Sequence, residues 1–525
     1  MGRAFIALVV FVALPFMKAA DLIRFQSPNT LDFDDLVTLA SVDPPPPDVQ
    51  ARLDALLSTP FVSNESWFAG YKPLTPNVPG VGQVLRIAEW NINREEKDAM
   101  MLAFSDLNGF EALARENPRL KQKTLSNAVG EARYLQSADV IVLNEVDHGV
   151  NRTRYRDVTR DIAMTLHMNY VFATEFVELT PLYARYKKNE GEHTGEKESE
   201  QSEVDPKRYL GLEGSALLSR YPILSARVVQ LPMAYDWYHQ EVHAISELAK
   251  VGNLAAGKLV AEKLKRQVRR GSRLVIIAEL EIPGPTPSVL TVVCPHLEDY
   301  SQAPGRRKQM EFVLSQIKPI STPLVMAGDL NTMGHSAAPV SFKSEIKNNL
   351  LNYHFWARLA MYDFVPLPGV SYGVAAYNHF RGLHDPTVAN IPIVASSHER
   401  AMFDDIHRFR FDDGSSFEWE GDKAESFHHK SRTLAVTNQR AEKGFEPTFE
   451  FGRTFHGLIG TYKLDWIFVK QSTSFPPYQG RTLRAINDAP VKKISDHSPT
   501  TVDLALPSLL ANRQASQSDG VAPGR

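Results

Sequence analysis

Six short polar motifs, each at one end of a strand-like apolar run, most constrain what this chain can fold into. Four of them follow their apolar runs, and two come directly before theirs. In chain order they are Trp90-Asn91-Ile92-Asn93, Leu143-Asn144-Glu145, Pro295-His296-Leu297, Gly328-Asp329-Leu330-Asn331, Leu464-Asp465-Trp466 and Asp496-His497. Because α/β folds build their sites from polar residues at strand ends, the motifs predict that the strands bring one polar site together.

Length and composition allow a large buried core. The chain has 525 residues, of which 43% are hydrophobic, which is enough for one large domain or two. The formal net charge of -3 argues against a wide basic surface for nucleic acid, although a local basic patch stays compatible with it. The single cysteine, Cys294, excludes an intrachain disulfide framework and a cysteine-rich metal site, and its apolar neighbours favour a buried core residue.

The N-terminus has the pattern of a signal peptide, for which we expect the bounds 1–20. Arg3 precedes an uncharged apolar run from Ala4 to Phe16, and the small residues Ala19-Ala20 follow. The run is too short to span a bilayer comfortably, since a spanning helix needs about 20 residues. We therefore expect a secreted or periplasmic protein, with an uncleaved membrane anchor as the alternative, because Lys18 makes the cleavage site imperfect.

Strand-like and helix-like runs alternate from Val84 onward. Predicted strands cover 84–92, 139–146, 170–179, 215–218, 273–282, 288–296, 324–330, 464–470 and 500–506, and predicted helices lie at 111–114, 124–135 and 158–168. Helices separate the first strands, whereas two later strands follow each other directly, as in an antiparallel hairpin. This mixture favours an α/β sandwich over a purely doubly wound sheet.

The remaining segments divide the chain. Residues 21–83 are a proline-rich N-terminal extension that we interpret as a linker or a strap over the surface, and residues 507–525 as a disordered C-terminal tail. The domain at 84–506 carries three insertions, at about 187–208, 235–270 and 333–453. The second ends in a basic run, which we interpret as a solvated helix face rather than a phosphate contact. The third is long and aromatic, and we expect it to build the substrate-facing rim.

The polar set at the strand ends is rich in oxygen and contains no cysteine. Such a set suits Mg²⁺, with Mn²⁺ or Ca²⁺ as alternatives, better than zinc. Mg²⁺ usually takes only one or two protein carboxylates and keeps its other positions for water and substrate phosphate. Glu145 is the best candidate for a direct ligand, and Asn91 would add a neutral oxygen.

The other members fit the hydrolysis of a phosphate ester. This reaction needs an activated water, stabilisation of charge on the phosphoryl oxygens, and help for the leaving oxygen. Asp329 can orient or deprotonate water, and Asn331 can donate to a non-bridging oxygen. His497, oriented by Asp465, can hydrogen-bond the phosphate. His296 can protonate the leaving group.

These motifs resemble those of the endonuclease/exonuclease/phosphatase superfamily, which contains DNase I, abasic-site endonucleases, inositol polyphosphate 5-phosphatases and bacterial sphingomyelinases. The resemblance runs from Val84 to about Leu506 and includes all six motifs in the family's order. It implies a four-layer α/β sandwich in which two mixed β-sheets pack face to face with helices outside. It also implies a metal site made by Asn91, Glu145 and Asp496, and a catalytic set made by His296, Asp329, Asn331, Asp465 and His497.

The motifs indicate the class of reaction and are compatible with several phosphate-ester substrates. The leading expectation is a secreted, divalent-metal-dependent phosphoesterase that cleaves a phosphodiester or a phosphomonoester. Within this class, the candidate that we consider first is an extracellular nuclease. Alternatives are a phospholipase C or sphingomyelinase-like enzyme and an inositol-phosphate phosphatase. A catalytically inactive binding module on the same fold is disfavoured, because binding alone does not need this acid and histidine set. We expect no obligate protein partner and a monomer, with nucleic acid, phospholipid or inositol phosphate as the bound phosphate ester.

Overall fold

The computed structural model describes most of the chain between residues 22 and 506. The described residues are 22–95, 98–183, 204–250, 266–282, 288–332, 399–418, 438, 440–441, 444–445, 447–455, 459–472 and 475–506. The expected signal peptide, the expected C-terminal tail and most of the insertions at 187–208 and 333–453 lie outside these ranges. Among the helices within them, none combines the length and the hydropathy needed to cross a membrane.

Strands and helices alternate within the described residues. The strands are β1 (Phe25–Gln26), β2 (Phe61–Ser63), β3 (Asn77–Val78), β4 (Gly82–Asn91), β5 (Val140–His148), β6 (Asn169–Glu178), β7 (Leu212–Ser219), β8 (Ile223–Gln230), β9 (Arg269–Gly271), β10 (Leu274–Ile282), β11 (Ser288–Pro295), β12 (Leu324–Asp329), β13 (Arg440–Ala441), β14 (Gly444–Phe445), β15 (Phe449–Phe455), β16 (Ile459–Tyr462), β17 (Asp465–Val469), β18 (Pro477–Thr482) and β19 (Thr500–Ala505). The helices are α1 (Phe33–Ser41), α2 (Pro47–Ser58), α3 (Glu65–Phe68), α4 (Asp98–Ser105), α5 (Leu107–Arg115), α6 (Gln122–Gln136), α7 (Val158–Leu166), α8 (Trp237–Lys250), α9 (Ala303–Ile317), α10 (Arg400–Arg408) and α11 (Arg484–Asp488).

Two mixed sheets form the body of the domain. The first has the order β1-β2-β6-β7-β5-β4-β19-β18, with β3 paired to β4 and β9 paired to β6. The second has the order β17-β12-β11-β10-β8. Parallel pairing occurs between β4 and β5 and between β11 and β12, and the neighbouring pairs are antiparallel.

Alternation along the central strands separates three apolar layers. Ile87 and Val142 of the first sheet face Val292 and Val325 of the second in the core between the sheets. Their chain neighbours point the other way: Ala88 and Leu143 pack toward the helices outside the first sheet, and Val293 and Met326 pack with α9 and α10 outside the second. Side chains of a strand point alternately to its two faces, so strands that are apolar throughout are buried on both. The predicted four-layer α/β sandwich is confirmed.

Residues 22–83 are not a linker. Strand β2 pairs antiparallel with β6 and adds to the edge of the first sheet, and β1 pairs with β2. Helix α1 begins at an Asp32 cap, whose side chain accepts from the Asp35 amide. Leu36 and Leu56, from α1 and α2, are fully buried in the core outside this sheet. The four consecutive prolines Pro44–Pro47 lie between α1 and α2, and the last of them begins α2. They therefore separate two packed helices and do not end the ordered structure.

The end of the second insertion is not the solvated helix face that we expected from its basic run. Its last residues form β9, which pairs with β6. The Arg269 side chain is buried, lies 2.7 Å from Glu213 and stacks over the rings of Phe176 and Trp237. A buried acceptor and two aromatic faces stabilise this guanidinium away from water.

Candidate active site

Two carboxylates face each other at one end of the second sheet. Asp329 is the last residue of β12, and Asp465 is the first residue of β17, directly opposite in the antiparallel register. Both side chains are buried. The glycine before Asp329 is required by the packing, because a Cβ at Gly328 would lie 2.0 Å from the carbonyl oxygen of Pro295. The small residue lets β12 lie close to the strand that leads into His296.

A β-bulge within β5 contains Glu145. The pairing of β5 with β7 shifts between Leu143 and Val146, and Glu145 has a left-handed φ of 53°. An extra residue in a strand redirects a side chain, and bulges of this kind are frequent beside active sites. The preceding Asn144 points inward and links the two sheets: its Oδ1 accepts from the Asp329 amide at 3.0 Å, and its Nδ2 donates to Ser215 at 2.8 Å.

Asn91, the last residue of β4, lies between the two carboxylate positions. Its Nδ2 donates to Oδ2 of Asp329 at 2.9 Å and to Oε1 of Glu145 at 3.2 Å. Its Oδ1 accepts from the Asn93 amide at 3.0 Å. The side chain is thus oriented with nitrogen toward the acids, and a metal contact through its oxygen would require a rotated amide.

His497 and Asp465 form a buried pair. Nδ1 of His497 lies 2.9 and 3.0 Å from the two oxygens of Asp465. The backbone carbonyl of His497 accepts from the Trp90 indole at 2.9 Å, and the Phe449 ring packs edge-on against the imidazole. Burial alone would lower the pKa of His497, but the Asp465 and Asp329 carboxylates raise it well above its ordinary value.

His296 has its own carboxylate. Its Nδ1 lies 3.0 Å from Oε2 of Glu175, and the Arg273 guanidinium also approaches that nitrogen, at 2.9 Å. Arg273 donates to Glu175 and to Asp299, so we assign the Nδ1 proton to the bond with Glu175. Burial and the Arg273 charge lower the pKa of His296, but Glu175 and, more weakly, Asp329 raise it, and the net direction is upward.

Both imidazoles point their second nitrogen at Asp329. Nε2 of His296 lies 4.0 Å, and Nε2 of His497 lies 3.8 Å, from Oδ2 of Asp329. Within the described part of the chain, Nε2 of His296 is buried and has no hydrogen-bond partner. Burial raises the pKa of Asp329, the His497 charge opposes that change, and the net direction is upward. The site therefore gathers one carboxylate with a raised pKa and two imidazole nitrogens 3.8 and 4.0 Å from it, just beyond direct hydrogen-bonding distance.

Asn331 lies beside this group but is tied to the backbone. It has a left-handed φ of 52°, its amide donates to Oδ1 of Asp329 at 2.7 Å, and its Nδ2 donates to the Leu297 carbonyl at 2.9 Å. The side chain is buried. It orders the turn after β12, and a contact with a phosphoryl oxygen would use its second amide hydrogen.

Two partly exposed carboxylates offer a place for a divalent cation. Burial and the Glu145 charge raise the pKa of Asp496, with His497 opposing them, so the two acids lie close enough to repel each other. A divalent cation would relieve this repulsion, and oxygen donors are what Mg²⁺ prefers. Among the described residues, Asp329, Asp465 and His497 also have ligand atoms within 4.8 Å of one another. However, a protonated His497 donates hydrogen bonds and repels a cation, which favours the side of Glu145 and Asp496.

The sequence reasoning missed three buried residues that connect the site. Ser215 accepts from Asn144 and donates to Oε1 of Glu175 at 2.5 Å, and Glu175 holds His296. Asn144 lies inside one of the six motifs and Ser215 begins the predicted strand 215–218, but neither was given a role. Glu175 had a signal of its own, because it is an acid with apolar and uncharged neighbours inside the predicted strand 170–179.

Comparison with known proteins agrees with this geometry. A model of the Endonuclease/Exonuclease/phosphatase family matches residues 88–497, which is more than half of the chain. No curated protein sequence matches.

Similar solved structures include an endonuclease/exonuclease/phosphatase from Beutenbergia cavernae, at 17% identity, 81% coverage of this chain, 72% of that chain and a TM-score of 0.35. The catalytic domain of human Nocturnin with bound sulfate is 12% identical, with 80% and 93% coverage and a TM-score of 0.35. ANGEL2, described as a 2',3'-cyclic phosphatase, is 14% identical, with 81% and 95% coverage and a TM-score of 0.34. These likenesses are too distant to carry an argument.

The family match covers the segment that contains every strand-end motif. Members of the family are divalent-metal-dependent hydrolases of phosphate esters, and this chain has a buried acid and histidine set suited to that reaction. The chain therefore belongs to the Endonuclease/Exonuclease/phosphatase family and is a phosphoesterase.

Proposed function

We propose that the protein is an exported phosphoesterase that hydrolyses a phosphodiester or phosphomonoester by attack of water, with nucleic acid as the first candidate substrate. Export is supported by the Arg3 to Ala20 pattern of a basic residue, an apolar run and small residues. The reaction is supported by the arrangement around Asp329.

One observation carries the proposal. Two imidazoles, each held at Nδ1 by a buried carboxylate, direct Nε2 toward the same oxygen of Asp329, at 3.8 and 4.0 Å. Substrate oxygens placed between these nitrogens would receive two charge-assisted hydrogen bonds, and the unpartnered Nε2 of His296 would gain an acceptor. A structural core has no need of two such donors facing one base.

The chain's residues then divide the work. Asp329, with its pKa raised by burial, takes a proton from the attacking water. His497 donates to a non-bridging phosphoryl oxygen, and Asp465 keeps that imidazole charged and oriented. His296 donates to the leaving oxygen, and Glu175 holds its ring. Asn331 orders the turn that presents Asp329.

Glu145 and Asp496 would hold the divalent metal, with Asn91 beside them. When bound, Mg²⁺ or Mn²⁺ would supply charge stabilisation to the phosphoryl group. Asn91 bonds to both Glu145 and Asp329, so it sets the spacing between the metal-side acid and the base.

The end of the insertion at 333–453 supports its proposed role at the substrate rim. Phe449 forms an isolated bridge with His497 and packs on the imidazole, and Thr448 accepts from the amides of Leu464 and Asp465. Residues at this end of the insertion thus contact the catalytic pair directly. The choice among phosphate esters would be made by the chain that continues from them.

The test is a substrate panel with Mg²⁺ or Mn²⁺ present. Plasmid DNA, single-stranded RNA, sphingomyelin, inositol phosphates and bis-p-nitrophenyl phosphate would be compared for the wild type, Asp329→Ala and His497→Ala. We expect turnover of at least one phosphate ester by the wild type and its loss in both variants, with melting temperatures showing that they fold. Near-normal turnover in either variant would remove this mechanism, and hydrolysis of lipid or inositol phosphate alone would replace nucleic acid as the substrate.

A further inference from the structure

We propose that Arg94 is a positioning residue for the metal-side carboxylate of Glu145, an inference that rests on the proposed function. Nε of Arg94 lies 3.8 Å from Oε2 of Glu145. Neither side chain is fully buried: the exposed fractions are 16% for Arg94 and 20% for Glu145. The guanidinium therefore borders the carboxylate at the mouth of the site.

The position of Arg94 is set by an unusual backbone. Asn93 and Arg94 both have left-handed φ values, 47° and 68°, which L-residues adopt at a cost and mostly at functional sites. The Asn93 amide donates to Oδ1 of Asn91 at 3.0 Å. This short kink turns the chain directly after β4 and brings the Arg94 side chain close to Glu145.

Two further acceptors hold the guanidinium: Glu213 through Nε, the atom that also faces Glu145, and Gln267 through Nη2. Nε of Arg94 donates to Oε2 of Glu213 at 3.1 Å, and Nη2 donates to Oε1 of Gln267 at 3.0 Å. Glu213 is itself held by buried Arg269 at 2.7 Å and by Arg152 at 3.1 Å. A guanidinium held on two sides has little rotational freedom, so it presents a fixed charge to Glu145.

The orientation of the Glu145 carboxylate depends on such neighbours because its own backbone lies in a β-bulge. Its Oε1 accepts from Asn91 and its Oε2 faces Arg94. With one oxygen held by a hydrogen bond and the other by a looser ion pair, the carboxylate has one orientation and keeps lone pairs for a cation. Groups that orient a metal ligand commonly change metal affinity or activity by about 10–100-fold when removed.

Charge and geometry make opposite predictions here, which makes the proposal testable. Arg94→Gln removes a positive charge beside the cation site, and by Coulomb's law alone this change would tighten metal binding. A positioning role predicts the reverse, because a Glu145 free to rotate must be reordered by the metal. Arg94→Lys keeps the charge but not the fork that reaches Glu213 and Gln267 together.

The experiment measures Mn²⁺ binding to the purified protein by electron paramagnetic resonance of free Mn²⁺, together with kcat and KM at saturating metal. We expect Kd for Mn²⁺ to rise by about 10–100-fold in Arg94→Gln, by a smaller factor in Arg94→Lys, and also in Gln267→Ala, which leaves every charge in place. Arg154→Gln is the matched control, since Arg154 is an exposed arginine that also has a left-handed φ, 57°. Melting temperatures check folding, and Gln267→Ala tests the idea even where Arg94→Gln folds poorly.

Unchanged or tighter Mn²⁺ binding in Arg94→Gln would overturn the inference. A raised KM for substrate with unchanged metal binding would also overturn it, and would make Arg94 a substrate contact instead. Glu145→Gln separates this outcome from failure of the proposed function: if Glu145→Gln abolishes Mn²⁺ binding while Arg94→Gln does not, the metal site stands and only the role of Arg94 is wrong. If Glu145→Gln binds Mn²⁺ as the wild type does, the proposed metal site itself fails.

Discussion

The Glu175 carboxylate lies 3.0 Å from Nδ1 of His296, on the opposite side of the ring from Asp329. This contact favours the protonated form of His296, which burial and the nearby Arg273 would otherwise disfavour. Burial and the adjacent Arg273 both lower the pKa of His296, and Glu175, with a smaller contribution from Asp329, reverses their effect. The proton that His296 would give to a leaving group therefore depends on a residue one layer behind it.

Replacing Glu175 by glutamine should move the alkaline limb of the pH profile. Without this carboxylate, only Asp329 opposes burial and Arg273, so the pKa of His296 falls and its proton is lost at lower pH. We expect the alkaline limb of kcat/KM to shift toward lower pH and kcat to fall by about 10²–10⁴-fold. Glu178→Gln, a buried acid on the same strand that does not touch His296, is the control. A profile with its alkaline limb in place would show that His296 is not the titrating acid.

Removal of metal should abolish activity and also lower stability. Glu145 and Asp496 repel each other when no cation lies between them, so a metal that binds the folded state stabilises it by about 2.7 kcal/mol at 100 times its Kd. We expect EDTA to inactivate the enzyme and lower its melting temperature, with Mg²⁺ or Mn²⁺ restoring both. In Glu145→Gln the metal-dependent rise in melting temperature should shrink, whereas the exposed Glu65→Gln should behave as the wild type. Activity that survives chelation would contradict the metal site.

Gly328→Ala should damage both stability and catalysis. The added methyl would lie 2.0 Å from the Pro295 carbonyl, and overpacking of this kind costs about 1–3 kcal/mol. It also pushes β12 away from the strand before His296, which separates His296 from Asp329. Gly130→Ala is the matched control, since a Cβ there meets no atom within 4 Å and alanine favours the helix by about 0.5–1 kcal/mol. Urea unfolding and kcat would measure the two effects, and a Gly328→Ala protein as stable as the Gly130→Ala protein would refute the close approach.

A protein that starts at residue 64 should be much less stable than one that starts at residue 22. The shorter chain lacks β1, α1, α2 and β2, and so exposes the strand β6 edge and the surface that buries Leu36 and Leu56. Each fully buried leucine contributes about 1.5–3 kcal/mol. Urea unfolding compares the two proteins, and equal midpoints would restore the linker interpretation of this segment.

The sequence predicted the strands that are apolar throughout and the motifs at their ends, because burial on both faces leaves a continuous apolar run. It did not predict β8 or β18, which lie at sheet edges and alternate with exposed residues. The proline content of residues 21–83 favours a linker or a surface strap, but Pro47 is the first residue of α2, where proline is well tolerated, so the prolines do not exclude packed helices.

Side-chain pairing was harder to predict than strand placement. The partners of His296 and His497 come from distant segments, 121 and 32 residues away along the chain. For Asp465 the roles inferred for the motif residues supplied the pairing with His497 in advance. For Glu175 only an acid inside an apolar strand was visible, and nothing local says which histidine it meets. The bulge at Glu145 depends on the register of β5 against β7, which no single strand specifies.

Strand β19 lies between β4 and β18, and the Trp90 indole bonds to a carbonyl 407 residues further along the chain. The first and last motifs therefore lie in neighbouring segments of the first sheet. A chain that ended before residue 496 would lack His497 and would also leave β4 without β19 as its neighbour. Loss of this one segment would thus remove a member of the His497–Asp465 pair and a strand of the first sheet together.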